Sequence, residues 1–164
     1  MDSSIFLITA ILIAITVVPF VLMGRNGKKK KKQFLSSLEA LAKQHKSKIS
    51  QCEFGGEFAI GLDETSNYIF FYQKNEDMER RQDIDLSEIM DCQLVKTKKT
   101  VRNGNGSGKQ EELDKLELSF SCIAQNKPNK RIEFYNSDQS APLSGELELM
   151  DKWSKIINAR LSVN

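Results

Sequence analysis

Hydrophobic and polar positions along the chain fall into four successive patterns. From Ile5 to Met23, nineteen residues pass without a charge, thirteen of them Leu, Ile, Val or Phe. Phe34, Leu35, Leu38, Leu41 and Ala42 then recur at helical spacing opposite Glu39, Lys43 and Gln44, predicting an amphipathic helix over 33–46. After it the period changes to two and stays so for most of the chain. Candidate strands are Lys48–Phe54, Phe58–Leu62, Tyr68–Gln73, Ile84–Leu86, Asp91–Val101, Leu116–Cys122 and Arg131–Tyr135. The alternation is clearest where Leu116, Leu118, Phe120 and Cys122 interleave with Glu117, Ser119 and Ser121. Charged residues 74–81 and the Gly-, Asn- and Ser-rich stretch 102–112 read as loops. Helical spacing returns in Leu149, Met150, Trp153, Ile156, Ile157 and Leu161, predicting a helix over 146–161 with Ser144 as its cap.

Nineteen helical residues rise about 28 Å, close to the apolar thickness of a bilayer, so residues 5–23 are expected to span a membrane once. A cleaved signal peptide is the rival reading. It asks for positive charge before the apolar stretch and small residues after it, whereas Met1-Asp2-Ser3-Ser4 precede and lysines follow. The nearby Lys and Arg all lie after the span, which predicts a short outer N-terminus (1–4) and a cytoplasmic remainder. The expected location is the cell (inner) membrane, with the segment acting as a signal anchor.

Charge sharpens this division. The total of +2 includes a polybasic segment within 24–32, formed by Arg25, Lys28, Lys29, Lys30, Lys31 and Lys32. Removing those six charges and that of Asp2 leaves −3 for residues 33–164. The mild basicity therefore belongs to one short run, which is read as a membrane-surface contact, and a nucleic-acid-binding domain is disfavoured.

Seven strand candidates joined by hairpin-length connections and followed by one helix predict an antiparallel, mainly β (α+β) domain over 47–164. The FAIGLDETSNYIFFYQ hairpin, the IDLSEIMDCQLV stretch and the LELMDKWSKIINARL helix with its central Trp153 resemble the pleckstrin homology-like (PH-like) fold. The resemblance implies a seven-stranded barrel or sandwich capped by the C-terminal helix, and an interaction module for lipid, peptide or protein. In that family, phosphoinositide binding uses basic residues around the loop between the first two strands. Here that loop is Phe54-Gly55-Gly56-Glu57 and carries none.

Motifs for chemistry are sparse. Cys52, Cys92 and Cys122 form no C-x-x-C pair, and Cys92 and Cys122 share parity with core positions, so they read as thiols rather than metal ligands. His45 is the single histidine. Paired carboxylates such as Asp63-Glu64 and Glu76-Asp77 fall in predicted turns, and Gly104–Gly108 lacks the Lys-Ser/Thr and helix of a phosphate loop. The expectation is a non-enzyme without cofactor or metal, anchored in the membrane and recruiting a protein partner. A lipid-sensing module is the alternative, with Lys96, Lys98, Lys99 and Arg102 as a secondary contact to anionic headgroups. Sheet edges are among the expected binding surfaces.

Overall fold

The computed structural model describes residues 27–102 and 109–162. Helix α1 covers residues 27–44. Strands β1 (Gln51–Phe54), β2 (Phe58–Asp63), β3 (Tyr68–Lys74) and β4 (Glu79–Asp85) follow, then a 3-10 turn, Leu86–Glu88. Strands β5 (Ile89–Arg102), β6 (Lys109–Cys122) and β7 (Lys130–Asn136) precede helix α2 (Glu146–Leu161). All strand pairs are antiparallel.

The expected seven-stranded barrel is corrected to two separate sheets, one ordered β1-β2-β3-β4 and the other β5-β6-β7. The reason lies at the two corners. Between the β3–β4 hairpin and β7, side chains replace the backbone ladder. Gln73 Nε2 donates to the Phe134 carbonyl (3.3 Å), Gln82 Nε2 to that of Arg131 (3.0 Å), and Arg80 meets Glu133 at 2.7 Å. At the corner where β5 is exposed, α2 takes the place of a strand. Asn158 donates from Nδ2 to the Cys92 carbonyl (2.6 Å) and accepts the Cys92 N–H on Oδ1 (3.0 Å).

The inner faces of both sheets and α2 enclose one core. It joins Phe58, Ile60 and Phe71 to Leu116, Leu118 and Phe120, with Trp153 fully buried among them. The indole N–H is satisfied by the Glu53 carboxylate at 2.9 Å, so the ring is buried without an orphaned donor.

A second core lies outside the first sheet. Phe34, Leu38, Leu41 and Ala42 of α1 cover Ala59, Phe70 and Tyr72 on the outer faces of β2 and β3. With both faces covered, every residue of β2 is buried, and so are the five central residues of β3. The tight β1–β2 connection needs its glycine, since a Cβ on Gly55 would overlap the Phe58 ring.

The expected membrane span is also corrected. Among the described residues no helix is long and apolar enough to cross a membrane. Helix α1 begins with exposed lysines and spends its apolar stripe on a sheet. Residues 5–23 and Arg25 lie outside the described residues, so the single-pass inner-membrane placement and the signal anchor are set aside.

Three local expectations change as well. The short strand expected over 84–86 instead runs over 79–85, taking in residues 79–81 of the expected charged loop, and β6 starts at Lys109, ahead of the expected Leu116. The loop expected over 102–112 is correspondingly shorter, with residues 103–108 outside the description. At α2 the cap is Gly145, with φ at 99°, and the Ser144 N–H donates to Glu146.

Candidate functional site

The edge strands differ in what covers them. The β5 edge is tied to Asn158 and Ser154 at Cys92, and the β7 carbonyls are tied to Gln73 and Gln82. Among the described residues, strand β1 pairs only with β2. Among the described residues, neither a strand nor a side chain bonds to its other side. The Gly55 N–H donates to the Phe58 carbonyl at 2.9 Å, and antiparallel alternation from that pair points the N–H and C=O of Cys52 and Phe54 away from β2.

Beside this edge runs a groove of about 350 Å³ between α1 and the segment leading into β1. Leu35, Glu39 and Ala42 form the helical wall, and Ile49, Gln51 and Cys52 the opposite one. The groove exists because α1 stops sharply. Ser47 N–H reaches back to the Ala42 carbonyl (2.9 Å) across Lys46, whose φ of 55° is the left-handed conformation of a Schellman-type end. The chain then doubles back under its own helix. Ser47 lines the groove, is only 9% exposed, and its hydroxyl has no hydrogen-bond partner in the described structure.

The electrostatics around the groove are uneven. From Lys74 to Lys155 the described basic side chains, Lys96 excepted, each pair with a carboxylate. Lys28–Lys32, Lys43, Lys46 and Lys48 are exposed and form no ion pair among the described residues. They lie on α1 and the turn after it. Lys30 sits 5.5 Å from the Phe34 ring centre and Lys31 5.9 Å from that of Phe54, which brings the lysine run to the Phe54 end of β1.

The predicted secondary cluster is not gathered into a free patch. Lys98 pairs with Glu111 at 3.0 Å, and Lys99 with Asp138 at 2.9 Å and Asp114 at 3.4 Å. The Asp138 hydrogen bond leads the causes that raise the Lys99 pKa. Lys96 stands apart beside α2, sharing a depression with Asp151 and Ile156.

The thiols and the histidine serve packing. Burial first, then Asp91, pushes Cys92 up to about 12, and Cys52 is raised by burial and then by Glu39 and Glu53. Neither environment favours a thiolate nucleophile. The His45 ring lies against Tyr68 with ring centres 4.8 Å apart and planes tilted by 31°, and approaches Asp83 at 3.2 Å, pinning the end of α1 to the sheet. No group of three His, Cys, Asp or Glu among the described residues is placed to hold a metal ion.

Sequence reasoning named sheet edges as binding surfaces but did not find this groove. The available signal was the apolar stripe of Phe34, Leu38, Leu41 and Ala42, which needs a surface to cover. Comparison with known proteins gives no counterpart: no family model matches the chain, and no curated protein and no solved structure matches it.

Proposed function

We propose that this domain is a protein-interaction module of the PH-like kind, recruiting or organising a partner by taking up an extended segment of it along β1. The observation that carries the reading is the free edge of β1 beside a groove. An added strand gains main-chain hydrogen bonds to Cys52 and Phe54, and alternate side chains of that strand enter the space between α1 and β1. The lipid-sensing alternative has less support, because Lys98 and Lys99 are engaged by carboxylates of the same domain.

Cys52→Pro provides the test. Proline at this position removes an N–H that faces away from β2, so the β1–β2 ladder is kept while strand addition is blocked. Random peptides displayed on phage are selected on the full chain and then offered to the variant. Selected peptides should protect the Cys52 and Phe54 amides from hydrogen exchange and lose binding to Cys52→Pro. Alkylation of Cys52, the one cysteine that is not buried, should block them too. Peptides that bind the variant and the wild type equally place recognition elsewhere and end this reading.

A further inference from the structure

From the distribution of unpaired charge we infer that the segment received by β1 is acidic: an extended peptide with carboxylates flanking an apolar anchor. The inference rests on the edge reading above and adds the chemistry of the occupant.

Residues 33–164 carry a net charge of −3, so a surface chosen at random on this domain would show no positive excess. The described structure neutralises its basic side chains almost everywhere by internal pairing. Apart from Lys96 beside α2, its unpaired lysines follow the helix and turn that wall the groove: Lys28–Lys32 at the Phe54 end, and Lys43, Lys46 and Lys48 at the Ser47 end.

Between these two groups the groove holds a single acidic wall residue, Glu39, beside apolar Leu35, Ala42, Ile49 and Cys52. Glu53, the nearest other carboxylate on β1, is occupied by Trp153 and Lys152. The pattern is positive, apolar, positive along the length of one strand. Its complement is a strand that is negative at both ends and apolar in the middle. The Ser47 hydroxyl, buried in the groove wall without a partner, adds one polar contact for the entering segment.

Association with such a segment gains mainly in rate and register from the lysines, and main-chain pairing supplies persistence. Binding is therefore expected to be sensitive to salt, because exposed charges are screened over about 8 Å at physiological ionic strength.

Three capped peptides of about ten residues, each long enough to span β1, test this on the full chain by fluorescence anisotropy. One alternates glutamate with valine, one threonine with valine, one lysine with valine. The Glu–Val peptide should bind at least about tenfold more tightly than the Thr–Val peptide, and the preference should shrink as salt is raised. The Lys–Val peptide should not bind. Lys43→Gln with Lys48→Gln, both exposed changes, should reduce the Glu–Val advantage over Thr–Val. Circular dichroism verifies that this variant is folded.

Equal binding of the Glu–Val and Thr–Val peptides, with the β1 amides protected by both, overturns the acidic assignment and keeps the edge reading. Absence of binding and protection for all three overturns both. Vesicles of one third phosphatidylserine in phosphatidylcholine form the last arm. If they bind in a lysine-dependent way and no peptide protects β1, the stripe serves an anionic surface and the inference is lost.

Discussion

At Asp63 a single carboxylate organises a turn. It is only 2% exposed, yet it accepts the N–H groups of Lys48 (3.0 Å), Thr65 (2.8 Å) and Ser66 (3.2 Å). Burial alone pushes its pKa up, and the backbone hydrogen bonds outweigh that, holding it below its ordinary 3.8. A folded-state pKa below the unfolded one gives stability that is complete above about pH 4 and fades as pH falls through the folded value. Glu133, where burial is likewise outweighed by Arg80, and Asp85 contribute in the same direction. Asp63→Asn should cost about 1–3 kcal/mol at pH 7, because Asn cannot satisfy all three donors. Urea titrations at pH 7 and pH 3 should show the gap between variant and wild type narrowing in acid; a gap of constant size would deny Asp63 this role.

Individual elements explain what the sequence revealed and what it concealed. Strand β6 was legible because only one face of Leu116–Cys122 is buried, so the two-residue period survives. Strand β3 was legible for another reason, the aromatic run Tyr68–Tyr72, which fits a strand covered on both sides. Of strand β4 only the Ile84 end was legible, since its ERRQDID sequence offers only Ile84 to the core and uses Arg80 and Gln82 to bridge to β7. That bridging depends on a strand about fifty residues away, which no local pattern encodes. The same limit applied to the groove, whose walls are individually ordinary and gain meaning only when α1 folds back. Helix α1 should therefore be sensitive at Leu38, which is fully buried against the sheet. Leu38→Ala should cost about 2–5 kcal/mol and speed proteolysis within residues 27–50, as followed by mass spectrometry. Unchanged cleavage there would mean that the helix adds nothing to the fold.

Across the whole molecule, α2 links the two sheets. Trp153 fills the space between them, and its neighbours Ser154 and Asn158 hold β5. Trp153→Ala should remove about 3–5 kcal/mol and open the interior as a unit. Cys92 and Cys122, both buried, should then react with a thiol reagent at a common, faster rate. Reaction of one without the other would show that the sheets open independently.

The position of α1 in the chain also bears on how the protein is made. The helix precedes β1, but the surface it covers is built from Ala59, Phe70 and Tyr72. During synthesis from the N-terminus, Phe34, Leu38 and Leu41 emerge first and have nothing to pack on until β2 and β3 have left the ribosome and paired. A lone helix of this length is marginal in water. The apolar stripe is therefore exposed for the time taken to add some thirty residues, on the order of seconds, with lysines on either side of it.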